Sequence, residues 1–481
     1  MLRITTLKGN VSATAKTYYS KEDNYYHQEA TTFWHGNLAN ELNLIGEVDT
    51  ETFENMLNGI LPSGEQAISN KRTKDSQRRM GYDFTFSASK SISIQGLIAN
   101  DMKIIKAHDI AVKNALNELE KHVSARKRIG NDRVKEVTNN FAVATFRHEL
   151  SRSLDPQIHT HAIVMNMTKR EDGAFCAIAN ENLFKLTKEI DAIYKNELLK
   201  QLYTLGYDIR FTGKNGEFEL AHISRKQIEL FSKRMLQIQE QSIKHRGKQY
   251  DSLSAKEQRI IAEKSRDKKT KVDHTKLRQQ WEHTLKENNI NLAINLNPAY
   301  ENNSKLEQQI LDNKQNLLFK IVDWAINHHI ERQSVIKKSD LIVSSIHQSQ
   351  GKVSYLEITN YIDDLIEKGV ILKSEPLYAV YGDKTNIYKT KETYIDELIK
   401  QTNVNLEKAN SYFDNALASG QLIEKDIILT TPKAIENENK ILAIEKFGRN
   451  KVKFISKNHN LNDTNLNPSQ KNAVQAIFKQ F

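Results

Sequence analysis

Three histidines occur at a spacing that suits a metal site. His159 and His161 flank Thr160 inside an apolar-flanked stretch, residues 158–167, and His148 precedes His159 by eleven residues. Residues at i and i+2 of a strand project from one face, so the two imidazoles can point at one position and His148 can supply a third. Three neutral imidazoles leave positions open on a divalent ion, as a site that polarises a phosphate requires. The alternative is a set of strand histidines that make only local hydrogen bonds.

Two tyrosine pairs near the start of the chain, Tyr18-Tyr19 and Tyr25-Tyr26, carry phenols that could act as nucleophiles. Deprotonating a phenol of pKa ~10 at neutral pH costs about 4 kcal/mol at ~1.36 kcal/mol per pKa unit, and a nearby divalent cation lowers that cost. Attack of the phenolate on phosphorus would join the protein to DNA and release a 3′-hydroxyl without ATP. As amphipathic packing residues, the same tyrosines would do no chemistry.

Three segments of the chain resemble, in the same order, motifs of the TrwC/TraI-type conjugative relaxases, a class of HUH enzymes. They are YYSKEDNYY at residues 18–26, GYDFTFSASKS at residues 81–91, and HELSR with DPQIHTH within residues 148–161. The resemblance extends over roughly residues 1–300. Relaxases of this type cleave one strand of a plasmid transfer origin and stay joined to its 5′ end through a phosphotyrosine. The resemblance therefore implies an enzyme that nicks DNA at a specific site and strand.

The resemblance assigns roles to the tyrosines. Tyr18 corresponds to the principal nucleophile, and Tyr26 corresponds to the second-pair tyrosine that acts in a later strand transfer. Tyr19 and Tyr25 are further, lower-ranked catalytic candidates.

The resemblance also implies a metal centre. Its ligands would be His148, His159 and His161, and Asp83 would orient a ligand or take part in proton handling. Glu149 stands where the family pattern has an aspartate. Family members work with Mg, so Mg or Mn is expected, although an all-imidazole set also suits Zn, Ni or Co.

The charge distribution fits a nucleic-acid partner. The chain has 70 Lys and Arg against 60 Asp and Glu, a formal net charge of +10. Seventeen basic and eight acidic residues lie between Arg225 and Lys286, so this segment carries +9. It predicts a basic surface that neutralises phosphates, and a solvated helical face is the alternative. Lys90, in a serine-rich turn that could also be a helix N-cap, and Arg152 are candidate DNA contacts.

The partners implied by the family are the single-stranded DNA of a transfer origin with an adjacent hairpin, accessory relaxosome proteins and a type IV secretion coupling protein. A monomer is expected. Cys176 is the sole cysteine, which excludes an intrachain disulfide and a cysteine-rich zinc module. Without a signal-peptide core or an apolar run of eighteen residues, the sequence predicts no membrane insertion and a bacterial cytoplasmic protein, which the family would translocate with DNA.

The first 300 residues predict an α+β fold with five strands and flanking helices, and the resemblance to the relaxases implies that the five-stranded sheet is largely antiparallel. The resemblance makes the strand with His159 and His161 central. Helical patterns include residues 50–59, 103–121 and 183–203. The runs that are typical of strands are Leu2–Leu7, Tyr82–Phe86, Phe141–Phe146, Ile158–Met167 and Ala174–Ala177.

A second region, residues 301–460, is predicted to be mainly helical and similar to a winged helix. Three helical patterns, with a capping box at Ser354 to Glu357, precede two short strands at 370–373 and 387–389 that would form the wing. Residues 461–481 resemble the beginning of a RecD-like helicase domain, with Gln470 in its Q-motif. No Gly-Lys pair lies in a GxxxxGK[ST] motif. We therefore expect a truncated relaxase-helicase without helicase or ATPase activity.

Two other function classes fit parts of the sequence. A rolling-circle replication initiator would use the same nicking chemistry, but the double tyrosine pair ahead of the histidines follows the order of transfer relaxases. A non-enzymatic DNA-binding protein would have inert tyrosines and structural histidines. Formation of a covalent adduct with a single-stranded oligonucleotide separates an enzyme from a binding protein.

Overall fold

The structure is a computed structural model of the 481-residue chain. It describes residues 2–9, 32–68, 79–129, 132–151, 153–213, 215–264, 273–296, 304–380, 387–419, 421–424, 427–449, 469–471 and 474. Within these ranges no helix is both long and apolar enough to cross a bilayer.

A five-stranded antiparallel sheet forms the centre of the first region. The strands follow the spatial order β1-β3-β7-β6-β2, so β7, which carries His159 and His161, is the middle strand. The prediction of an antiparallel sheet with this strand at its centre is confirmed. The bounds are β1 Leu2–Lys8, β2 Thr32–His35, β3 Arg79–Ser87, β6 Val143–Leu150 and β7 Pro156–Met165.

Two hydrophobic layers cover the sheet because its strands alternate side chains between faces. On β3, Tyr82, Phe84 and Phe86 join the larger core, whereas Asp83 and Thr85 point to the opposite face. The larger core contains helices α4 and α6, and the smaller one contains α1 and α2. The first helices are α1 Asn37–Glu41, α2 Thr50–Asn58, α3 Lys90–Leu97, α4 Met102–Glu120, α5 Glu181–Lys185 and α6 Thr187–Thr204.

One predicted strand and one predicted helix differ from the structure. Phe175–Cys176 (β9) pairs with Thr168–Lys169 (β8) in a separate two-stranded sheet, so the run at 174–177 is not the fifth strand. That place belongs to β2, a four-residue strand too short to show alternation. The predicted helix 183–203 is two helices, α5 and α6, which meet at Leu186.

Further elements extend the first region. Two hairpins join β4 Ser124–Ile129 to β5 Asp132–Val137 and β10 Ile209–Phe211 to β11 Phe218–Leu220. The described parts of the basic segment are largely helical, and a short 3-10 turn, Tyr250–Ser252, lies between two of the helices. Its helices are α7 Arg225–Leu230, α8 Lys233–Arg246, α9 Ala255–Lys264 and α10 His274–Glu287.

The second region includes three consecutive helices and a three-stranded sheet in the order β12-β16-β13. Ser354 and Glu357 form the predicted capping box. The predicted wing is wrong, because the described partner of β13 is β16 rather than residues 387–389. The bounds are α11 Ser304–Ile330, β12 Ile336–Lys337, α12 Lys338–Ser349, α13 Tyr355–Glu367, β13 Leu372–Lys373 and β16 Ile428–Thr430.

A folded insertion separates β13 from β16 along the chain. Between β13 and β16 the chain forms two helices and a two-stranded sheet with their own small core around Ile395 and Phe413. Its second helix packs on β5 of the first region, and Arg126 Nε donates to Ala418 O at 3.0 Å. The insertion contains β14 Tyr378–Val380, α14 Lys391–Thr402, α15 Leu406–Ser419 and β15 Leu422–Glu424, and α16 Pro432–Gly448 follows β16.

The second region also docks on α6 through a buried amide. Asn196 is 2% exposed, and its Nδ2 donates to Val353 O at 2.8 Å. Its Oδ1 accepts from Ser349 Oγ and Gly351 N, both at 2.9 Å. Gly351 has φ +81° and lies so close to α6 that a Cβ would come within 2.7 Å of Leu199. A single hydrophobic core therefore runs from the sheet into α11, α12 and α13.

We expect Asn196→Ala to lower the free energy of unfolding by about 2–3 kcal/mol, because it removes the buried hydrogen bonds to Val353 O, Ser349 Oγ and Gly351 N. Urea denaturation followed by circular dichroism measures the change. Asn327→Ala is the matched control, since Asn327 is exposed on α11 and its described bond is to Asp323; it should change stability by less than about 0.5 kcal/mol. Equal midpoints for the two variants would contradict a stabilising role for the Asn196 contacts.

Candidate metal centre

The register of two neighbouring strands brings the three predicted histidines together. His148 on β6 lies directly opposite His159 on β7, and His161 follows on the same face. The ring centroids are 5.0 to 5.3 Å apart. One nitrogen from each ring can be chosen so that all three lie within 4.8 Å of one another. Three imidazole nitrogens at such separations can share one metal ion.

Hydrogen bonds fix how two of these rings are presented. His161 Nδ1 lies 2.9 and 3.0 Å from the two carboxylate oxygens of Asp83, and 3.2 Å from Thr85 Oγ1. His159 Nδ1 lies 3.0 Å from Gln157 O. A carboxylate and a carbonyl accept hydrogen bonds only, so both rings donate through Nδ1 and keep the Nε2 lone pair for a ligand.

The burial of His159 and the charge of Asp83 favour a bound cation at the three histidines. Burial, aided by the charge of His161, lowers the pKa of His159 to about 4, so this ring is neutral near pH 7. Asp83 is 5% exposed and provides a negative charge beside His161. A neutral His159 ring together with a carboxylate behind His161 suits a divalent metal ion.

Other charged groups surround the edge of the site. Lys90, at the first position of α3, donates from Nζ to Pro156 O at 2.9 Å at the start of β7. Burial lowers the pKa of Lys90, and the carboxylates of Asp155 and Glu219 oppose that shift. The described contacts thus direct Lys90 toward β7, and its role as a DNA contact stays a prediction.

The basic segment lies against the turn that joins the two metal strands. Ser153 Oγ donates to Gln237 Oε1 at 2.9 Å, and Arg234 N donates to Asp155 Oδ2 at 3.0 Å. Helix α8 therefore adjoins the loop between His148 and His159.

Several predicted site residues lie outside the described residues. These are Tyr18, Tyr19, Tyr25, Tyr26 and Arg152. Sequence reasoning missed Thr85, which the structure places between Asp83 and His161. The strand alternation that puts Asp83 on the metal face also puts Thr85 there, so the period of two was the available signal.

Comparison with known proteins gives concordant results. The chain is 31% identical over 302 residues to the multifunctional conjugation protein TraI of Escherichia coli, and 31% identical over 291 residues to TraI of strain K12. These matches cover 61% and 58% of this chain but only 16% of each relative, so the chain spans about a sixth of their length.

Solved structures of TrwC are also similar. A complex of TrwC with a 27-mer DNA comprising the recognition hairpin and the cleavage site is 41% identical, with a TM-score of 0.56. A metal-bound complex of TrwC with oriT DNA is 42% identical, with a TM-score of 0.57. Each covers 61% of this chain and 100% of the solved one. The family model of the TrwC relaxase matches residues 12–288, more than half of the sequence, and the chain therefore belongs to the TrwC relaxase family.

Proposed function

We propose that the chain nicks one strand of DNA at the transfer origin of a plasmid or conjugative element. The observation that carries the proposal is the convergence of His148, His159 and His161 beside Asp83 in a member of the TrwC relaxase family. The similar TrwC chains were solved with oriT DNA, which supports single-stranded transfer-origin DNA with an adjacent hairpin as the substrate. The order of the motifs and the family together favour transfer over replication initiation.

The reaction would proceed by transesterification. The phenolic oxygen of Tyr18 attacks phosphorus and forms a phosphotyrosyl bond, while the bond to the 3′ oxygen breaks and that oxygen leaves as a hydroxyl after taking up a proton. The energy of the phosphodiester is kept in the protein–DNA bond, so the step needs no ATP and can be reversed. Tyr26 would act in the second transfer, with Tyr19 and Tyr25 ranked lower.

The metal centre would be held by the three histidines. When bound, a divalent ion withdraws electron density from the scissile phosphate and stabilises the charge of the transition state. Asp83 keeps His161 in the tautomer that leaves Nε2 for the ion, and Gln157 O does the same for His159. We infer Mg or Mn as the working ion, with Zn, Ni or Co as alternatives that the imidazole set also accepts.

His161→Ala should reduce metal affinity or the cleavage rate by about 10-fold or more, as expected when a metal site loses a directly coordinating group. Calorimetric titration with Mn²⁺ and a nicking assay on single-stranded oligonucleotide measure the two effects, and EDTA should stop cleavage by the unsubstituted protein. His328→Ala, on the exposed surface of α11, is the matched control and should leave both unchanged. Undiminished nicking by fully chelated protein would rule out the metal mechanism.

Tyr18→Phe should abolish the covalent adduct while DNA affinity stays nearly unchanged, because only one hydroxyl is removed. Tyr26→Phe is the control and should form the adduct at close to the normal rate. Denaturing electrophoresis with a labelled single-stranded oligonucleotide detects the adduct. Adduct formation by Tyr18→Phe at the unsubstituted rate would reverse the assignment of the two tyrosines.

The basic segment and the second region suggest a division of labour. We infer that the segment 225–286 binds DNA phosphates, since it carries a net charge of +9 and its helix α8 adjoins the turn between the two metal strands. We also infer a division into a relaxase domain at 1–300, a winged-helix-like region at 301–460 and the beginning of a helicase domain at 461–481. The family further suggests accessory relaxosome proteins, a type IV coupling protein, a monomeric cytoplasmic protein and translocation with the DNA.

A shortened chain, residues 1–303, should retain strand cleavage, because the proposed nucleophiles, the metal ligands and the +9 segment precede residue 303. Its DNA affinity should fall steeply with salt, as counterion release requires. Its unfolding midpoint should be lower than that of the full chain, because removal of α12 uncovers α6. Nicking and filter-binding assays at several salt concentrations measure these effects. Loss of nicking by the folded short chain, or DNA-stimulated ATPase activity of the 481 residues, would overturn this division.

A further inference from the structure

The face of the sheet opposite the metal centre carries a polar pair at the same level as the histidines. Thr160 lies between His159 and His161, so alternation along β7 directs its side chain to the other face. Its partner across the strands is Arg147, which precedes His148 on β6. The residues that alternate with the metal ligands therefore face α4 and the larger core.

A buried histidine of α4 holds Thr160. His108 Nε2 lies 2.8 Å from Thr160 Oγ1, and His108 Nδ1 lies 2.8 Å from the hydroxyl of Tyr194 on α6. His108, Thr160 and Tyr194 are 0%, 2% and 1% exposed. Burial lowers the pKa of His108 to about 3, so the ring is neutral and donates one of these hydrogen bonds while it accepts the other. Both nitrogens are thus satisfied inside an apolar core.

The next residue of α4 holds the other member of the pair. Asp109 Oδ2 accepts a hydrogen bond from Arg147 Nη1 at 2.5 Å. Consecutive residues of one helix thus contact the two opposed residues of β6 and β7. These contacts restrain rotation and sliding of the two strands relative to α4.

We propose that His108, Thr160 and Tyr194 form a positioning unit that sets the direction in which His159 and His161 present their rings to the metal ion. The inference rests on the proposed metal centre. A metal site tolerates an error of roughly 0.5 Å in its ligands, and contacts on the opposite face of the strand that carries them help to hold it within that error. None of the three residues contacts the ion; they act through the backbone of β7.

The arrangement differs from ordinary core packing. Apolar side chains at residues 108, 160 and 194 together would fill the space without the cost of burying an imidazole and two hydroxyls. Replacing such a set by apolar groups can be nearly neutral for stability, so stability alone does not report its role. The affinity for the metal ion and the spectra of the bound ion do report the role of these three residues.

The test compares Thr160→Val with Thr145→Val. Both threonines are buried on the same face of neighbouring strands, but the hydroxyl of Thr145 donates to Phe33 O at 2.8 Å rather than to His108. Calorimetry gives the affinity for Co²⁺, and the visible spectrum of bound Co²⁺ and the paramagnetic resonance spectrum of bound Cu²⁺ report coordination geometry.

We expect Thr160→Val to weaken Co²⁺ binding by about 3- to 10-fold, at or below the ~10–100-fold that direct supporting partners of ligands give, since it acts one step further away. Its spectra should shift. Thr145→Val should leave the Co²⁺ affinity and the spectra unchanged. Thr160→Ser should show the affinity and spectra of the unsubstituted protein, because serine keeps the hydroxyl. Tyr194→Phe, which removes one distant hydroxyl, should show a smaller change in the same direction and serves if Thr160→Val does not fold.

The same measurements distinguish failure of the proposed metal centre from failure of the proposed positioning unit. If the unsubstituted protein binds neither Co²⁺ nor Cu²⁺, the proposed metal centre is wrong. If it binds both, and Thr160→Val and Tyr194→Phe give the spectra and affinities of Thr145→Val, the positioning unit is wrong while the metal centre stands.

Discussion

The antiparallel register of β6 and β7 is the constraint on which the rest of the site depends. With His148 opposite His159, the pleat alone places three imidazoles on one face and directs Thr160 and Arg147 to the other. A slip of one residue would turn His159 and His161 toward the hydrophobic core and Thr160 toward the metal face. The buried apolar residues of β7, Ile158, Ala162 and Val164, resist such a slip because their burial fixes which face is inward.

Helices α4 and α6, on the core side of the sheet, make polar contacts with the strands that carry the histidines as well as covering the core. Helix α4 contacts both metal strands through His108 and Asp109, and α6 completes the contact through Tyr194. Two positions further along α6, Asn196 binds the turn after α12. The same helix thus touches the network behind the metal centre and the second region of the chain. Neighbouring residues of α6 connect the two parts of the molecule physically.

Sequence patterns predicted the parts of the fold that local rules govern. The period of two along 158–161 identified the paired imidazoles, and the Ser354 and Glu357 pair identified a helix start. The strand Thr32–His35 and the sheet made by β12, β13 and β16 were missed or mispaired, because short strands distant in sequence leave no local pattern. His108 had a signal that was not used: it shares a helical face with Ile104, Ala111 and Ala115, so a polar ring at that position implied a buried partner. The nucleophile assignment depends on family resemblance, since the tyrosines lie outside the described residues.

The insertion between β13 and β16 gives the second region another point of attachment to the first. Its helix α15 contacts β5, while α12 contacts α6. Two separate contacts between the same two regions act like the two binding sites of a bivalent ligand. When one contact opens, the other keeps its two surfaces at a high effective concentration, so the open contact re-forms quickly. Loss of the α15 contact alone would therefore leave the second region attached through α12, and loss of the α12 contact alone would leave it attached through α15.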